Sequence, residues 1–269
     1  MRFQTVSAGG FSNFARNYLS HFSPSFLVSN GDTNLRSQQA GFGELYLLDI
    51  PLIVLGLLYV LKRKGKANWL LLAILLASPI PAAITRESPH ALRAITMAPI
   101  IAIICSMGAF YLGDIVPKYR NYIFLGLIVL YLGFFESYAQ AFFETYPADS
   151  SQDWQYGYKK LFSDYADEIA GAEKVIISDE HAQPYIFAAF YGKYDPASFQ
   201  EKAVRNSQDK WGASSVSGFD KFVFKKIEEK DLTAGTLVFA TAKDKPSFSV
   251  PNSEIRFLDG SGAFWVYLR

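Results

Sequence analysis

The sequence predicts an α-helical membrane bundle of four transmembrane helices followed by a small extracytoplasmic α/β domain. Three observations predict it. Apolar runs crowd residues 44–143, whereas 147–269 is an ordinary mixture of polar, charged and aromatic residues. Four of those runs approach or reach the ~20 apolar residues that carry a helix across a bilayer. Two of the short connections between them are basic, and this sets an orientation. The 269-residue chain therefore divides into 1–43, an extracytoplasmic loop with an interfacial helix, 44–143, the four-helix transmembrane region, and 144–269, the extracytoplasmic α/β domain.

The four spans are ELYLLDIPLIVLGLLYVL (44–61), NWLLLAILLASPIPAAI (68–84), AITMAPIIAIICSMGAFYLG (94–113) and YIFLGLIVLYLGFFESYAQAFF (122–143). Prolines 51, 79, 81 and 99 fall inside them. In membrane helices such prolines are tolerated where neighbouring groups satisfy the freed carbonyls. The connections KRKGK (62–66) and PKYR (117–120) read as cytoplasmic, which puts 1–43, 85–93 and everything after 143 outside. Residues 1–43 lack the basic and continuously apolar regions of a signal peptide. The expectation is therefore the C-terminal portion of a longer polytopic protein. Within this tail FSNFARNYLSHF (11–22) reads as an aromatic interfacial helix and SNGDTN (29–34) as a turn.

The second half changes character. KVIIS (174–178) is a buried strand and QPYIFAAFYGKY (183–194) a helix. KFVFKKI (221–227), TLVFAT (236–241), IRFLD (255–259) and FWVYL (264–268) are further strands. Several strands against one or two helices make an α/β domain. A formal net charge of +1, without a basic stripe, argues against a nucleic-acid partner. The single cysteine, Cys105, excludes an internal disulfide. The 23 Phe and 16 Tyr supply side chains suited to membrane interfaces and large cores. There is no glycine-rich phosphate loop, nucleophile elbow or histidine pair at metal spacing, so no metal or cofactor is evident.

The polar decade ITRESPHALR (84–93) stands out between the second and third spans. Arginine binds phosphate well because its planar fork of donors matches the oxygens and it stays charged. Arg86, His90 and Arg93 are accordingly candidate ligands for a lipid phosphate, with Glu87 orienting an arginine. Arg93 is expected to open the third span, where an anion would meet free helix N–H groups. Interfacial snorkelling accounts for the same residues without a ligand. Asp49, Asp32 and Arg36 are supporting candidates, and His21 belongs to the same outer side. Asp49 reads more simply as a backbone acceptor near the outer end of its helix, and Asp32 as a turn residue. His181 and Asp179 follow a strand, a common site position, although capping or surface roles suit them better.

Two stretches, NYLSHFSPSFLVSNGDTNLRSQQAGFGELYLLDIPLIVLGL (17–57) and SPIPAAITRESPHALRAITMAPIIAIICSMG (78–108), resemble the C-terminal membrane half of bacterial polytopic glycosyltransferases. These are similar to the dolichyl-phosphate-mannose–protein mannosyltransferases of the GT-C class. WQYGYKKLF and YDPASFQ resemble the extracytoplasmic tail of such enzymes. The resemblance implies transfer of a sugar from a polyprenyl-phosphate donor to an extracytoplasmic acceptor, which is a protein, glycan or lipid. Arg86, His90 and Arg93 would then lie on the donor side. The class carries its catalytic aspartate in the first outer loop after the first membrane helix. No position here matches that loop, so the catalytic base is expected outside this chain. A non-catalytic membrane-anchored binding or scaffold protein with an outer α/β domain is the alternative expectation.

Overall fold

A computed structural model describes residues 8–63, 65–85, 87–181, 183–208 and 214–269. It forms two compact units, the first ending at Tyr146 and the second running Pro147–Arg269.

The helical unit opens with α1 (Ala8–Ser20) and a π-helical turn at Ser25–Ser29. It continues through α2 (Asp49–Arg63), α3 (Lys66–Ala77), α4 (Ile80–Ala83), α5 (Met97–Ile115) and α6 (Arg120–Glu144). Among the described residues three stretches are long and apolar enough to cross a membrane: Lys66–Ala83, Met97–Ile115 and Pro117–Glu144. The first of the four predicted spans, 44–61, is not among them. The first predicted span loses its opening residues to a loop, because Glu44 N and Leu45 N donate to Phe26 O and Leu27 O. What remains helical, α2, has 15 residues, roughly 22 Å at 1.5 Å per residue.

Pro51 and Pro99 do not interrupt helices. Each is the third residue of its helix, in the first turn, where a missing N–H leaves no bond unmade. Pro79 and Pro81 coincide with the break between α3 and α4.

The α2–α5 contact is the closest helix pair in this unit. Cys105 Sγ lies 3.9 Å from Asp49 O at one end, and Lys62 Nζ meets Tyr111 Oη at the other. The two helices therefore run parallel. Glycines permit the approach: a Cβ on Gly56 would stand 2.0 Å from Ile104 O, and one on Gly108 would stand 2.0 Å from Leu52 O. Backbone-to-backbone contact of this kind is how helices associate where no hydrophobic effect separates apolar side chains from apolar surroundings. Around it pack Leu52, Ala82, Ala94, Met97 and Ile101. Replacing Gly108 by leucine should force the helices apart. The expected result is a lower unfolding temperature in detergent for Gly108→Leu, with an exposed Leu125→Ala control left near the parent value.

The second unit contains α7 (Tyr146–Asp149) at its entrance, α8 (Tyr156–Asp164), α9 (Ala166–Gly171), α10 (Pro184–Tyr191) and α11 (Pro196–Lys202). Its strands are β1 (Lys174–Ile177), β2 (Val204–Arg205), β3 (Val216–Phe219), β4 (Phe222–Phe224), β5 (Thr236–Ala240), β6 (Ser253–Arg256) and β7 (Gly262–Leu268). They form one mixed sheet in the order β2-β3-β4-β1-β5-β7-β6. Central β1 pairs in parallel with β4 and β5, and the remaining pairs are antiparallel. Tyr158, Leu161 and Phe162 of α8 and Ala188 of α10 pack with Val175, Ile177, Phe239, Phe264 and Val266 on one sheet face. Helices α8, α9 and α11 and strands β2 and β3 go beyond the sequence expectation of one or two helices. Their short, mixed segments lack the long periodic runs by which elements are recognised.

One buried carboxylate gathers the segments that follow the parallel strands. Asp244 Oδ1 accepts from Thr241 N and Oγ1, while Oδ2 accepts from Ser178 Oγ at 2.7 Å and Ile227 N at 3.0 Å. Truncating it strands several buried donors, each costing about 1–3 kcal/mol. Asp244→Ala should lower the denaturant midpoint of this unit clearly, and Asp244→Asn, which keeps one acceptor, should lower it less.

Candidate functional site

The polar loop 85–93 is tied to the end of α1 and the segment that follows it, and the tie begins with Asn17. Its Nδ2 donates to Ala83 O at 3.3 Å, and its own carbonyl accepts from Ser88 Oγ at 3.2 Å. The same carbonyl accepts from His21 Nδ1 at 2.9 Å. With Nδ1 donating, Nε2 of the neutral ring is an acceptor, and it receives the backbone N–H of His90 at 3.1 Å. His21 is fully buried. Burial holds its pKa below the ordinary histidine value, against the opposing pull of the Asn17 carbonyl. The neutral tautomer and the hydrogen-bond pattern thus agree.

Asp32 is the second tie. Gly31, at φ +66°, starts the turn, and Asp32 Oδ1 closes it by accepting from Asn34 N at 2.9 Å. Oδ2 accepts from Ala91 N at 2.8 Å and lies 3.3 Å from His90 Nδ1. That last pair has the distance of an ion pair without hydrogen-bond geometry. Behind it, Glu44 Oε1 accepts from Asp32 N at 3.2 Å. Burial, with the Asp32 charge adding to it, pushes the Glu44 carboxyl up to about 7. Two carboxyls and two histidines therefore share one small volume under the loop.

Arg93 lies at the margin of this cluster. Its Nη1 donates to Thr85 Oγ1 at 2.8 Å, and Nη2 is 3.6 Å from Glu87 Oε2. Its side chain is one-third exposed. Glu87 is mostly exposed and also lies 3.8 Å from His90 Nε2. Arg93 does not open α5, contrary to expectation. It sits in a 3₁₀ turn, Leu92–Ala94, and α5 begins only at Met97. The argument that places an anion at a helix N-terminus therefore does not apply to it.

The other candidates separate. Arg36 is exposed, and its Nε donates to Asn34 Oδ1 at 3.5 Å, outside the cluster. Asp49 begins α2, where Oδ2 accepts from Tyr46 N at 2.8 Å and Oδ1 from Tyr131 Oη. Arg86 lies outside the described residues. His181 packs edge-on against Tyr158, Phe257 and Phe264, so its ring serves the core of the α/β unit. Among the described residues, no group of three His, Cys, Asp or Glu side chains is arranged to hold a metal.

A mostly apolar pocket of about 180 Å³ lies beneath the loop, lined by Phe26, Leu27, Leu92, Ala94, Ile95 and Ile101 among others, with Glu44 in its wall. Asn17 and Glu44 are the residues that sequence reasoning misses. Asn17 acts through side-chain bonds to backbone 66 and 68 positions away, which no local pattern registers. Glu44 has a legible signal, a carboxylate at the very start of an apolar run, and the sequence reading treats it as part of a helix. The chain matches no family model, no curated protein and no solved structure.

Glu44 gives a pH prediction. Its folded pKa lies above the ordinary 4.5, so the folded state binds the proton more tightly than the unfolded one. The associated stability is complete below about 4.5 and is lost as pH rises through about 7. Glu44→Gln should therefore raise the stability at pH 8, by on the order of 1 kcal/mol after solvent screening, and with it the unfolding temperature. The gain should vanish near pH 4, which paired thermal melts in detergent would measure.

Proposed function

We propose that this chain is the donor-side portion of a membrane glycosyltransferase, moving a sugar from a polyprenyl-phosphate carrier to an acceptor on the extracytoplasmic face. The observation that carries the reading is the pairing of Arg93 with the pocket beneath its loop. The partly exposed Arg93 side chain, braced by Thr85 and Glu87, is flanked in sequence by Leu92, Ala94 and Ile95, which line an apolar pocket. That combination suits an amphiphile with an anionic head and an apolar tail. Guanidinium matches phosphate oxygens bidentately, and a preorganised cation stabilises a phosphate as it leaves a glycosidic carbon.

His90 has a different role in this reading from the one its spacing invites. It is buried between Asp32 and Glu87, and its backbone N–H is taken by His21. It positions the loop, and Arg93 meets the phosphate. Arg86 adjoins the same stretch in sequence and remains a further candidate for the donor side. The reading includes an outer location for 1–43, 85–93 and the α/β unit, for which the basic stretches 62–66 and 117–120 argue. The catalytic carboxylate would come from outside this chain.

The test is binding. The chain in nanodiscs should bind a polyprenyl phosphate, and Arg93→Ala should weaken that binding about tenfold, a loss of about 1.4 kcal/mol. Arg93→Lys should retain part of it. Equal affinity of parent and Arg93→Ala, with both variants fully inserted, would sink the assignment.

A further inference from the structure

We propose that the loop Lys245–Pro251 of the α/β unit is a membrane-contacting wedge that sits in the interfacial layer of a phospholipid bilayer. The proposal stands apart from the donor-site reading and rests on different residues.

Phe248 and Val250 project from this loop with 93% and 82% of their surfaces exposed, while its first proline, Pro246, is buried. The loop that bears them is fastened. Glu229 Oε1 accepts from Phe248 N at 2.9 Å, and Oε2 accepts from Ser249 Oγ at 3.1 Å. Arg269 Nη2 donates to Val250 O at 3.3 Å. Pro246 and Pro251 bracket the tip and contribute no N–H groups. The tip therefore presents two apolar side chains on a braced backbone with a reduced load of free donors, which lowers the cost of leaving water.

The surroundings select lipid as the occupant. Lys245 Nζ lies 4.7 Å from the centre of the Trp265 ring, and the Arg269 guanidinium lies 5.8 Å from that of Tyr267. Phe and Val at the tip, the partly exposed Trp265 beside it with Lys245 over its ring, and the exposed Arg269 are the residue types that settle at the boundary between head groups and acyl chains. Lysine and arginine there reach anionic head groups. The unit also begins at Pro147, directly after a helix that ends at Glu144 and is apolar enough to cross a membrane. A tether that short keeps a bilayer at high effective concentration, so a small apolar wedge suffices where a free domain would need a larger one.

The full chain, with Cys105→Ser removing its only native thiol, would carry Phe248→Cys labelled with an environment-sensitive fluorophore. A second version would carry Val250→Cys, and a control Lys202→Cys at the end of α11. Each would be reconstituted into vesicles of phosphatidylcholine and phosphatidylglycerol. Both loop probes should show blue-shifted emission and quenching by doxyl-labelled lipid, while the Lys202→Cys probe stays in water and is quenched by iodide. Water-like emission from both loop probes, with iodide quenching equal to the control, would overturn the proposal. So would a shielded loop that lipid quenchers miss and that shows energy transfer between copies, because the occupant would then be protein.

Discussion

The carboxylate of Asp32 is the constraint on which the helical unit's polar end depends. One oxygen closes its own turn, and the other holds the backbone of Ala91 across a separation of 59 residues. Beside it, neutral His21 receives the next backbone N–H, that of His90. Consecutive donors of a polar loop are thus taken by two side chains from one earlier segment. An unpaired buried N–H costs about 1–3 kcal/mol, so the loop has little freedom to be anywhere else. The position of Arg93, the shape of the pocket beneath it and the burial of Glu44 all follow from that fastening.

This fastening explains why the polar decade is rich in charge without being an open charged patch. His90 looks like a ligand when read as part of RESPHALR, yet the fold uses its backbone and buries its ring. Glu44 looks like the first residue of a helix, yet it supports Asp32 from behind. Of the loop's described basic side chains, Arg93 is the one that keeps surface to offer. A group's chemistry here is decided by which of its atoms are already taken.

The sequence discloses the broad plan because hydrophobicity is additive over long runs. The apolar stretches 68–84, 94–113 and 122–143 correspond to helices able to span a bilayer, and β1, β5 and β7 emerge from short β-branched and aromatic runs. What stays hidden has two sources. Helix α2 is shortened by bonds from residues 44 and 45 to residues 26 and 27, and no propensity argument contains those contacts. The short strands β2 and β3 and the helices α8, α9 and α11 take their form from packing against a sheet that is itself assembled from distant segments. In the site, the sequence marks Asp32 and His21 as outer polar residues, but their pairing with positions 90 and 91 is tertiary and has no local signature.

The glycine contact between α2 and α5 carries a consequence for the lipid around it. At roughly 22 Å, α2 is shorter than the ~30 Å hydrocarbon core of a bilayer, and its fusion to α5 at Gly56 and Gly108 prevents it from adjusting independently. In a membrane, a helix too short to span leaves part of the hydrocarbon thickness beside α5 for other groups to meet, by local thinning or by long residues such as Lys62 and Arg63 reaching for head groups. Thinning beside the Asp49 end would draw the head-group layer toward the loop that carries Arg93.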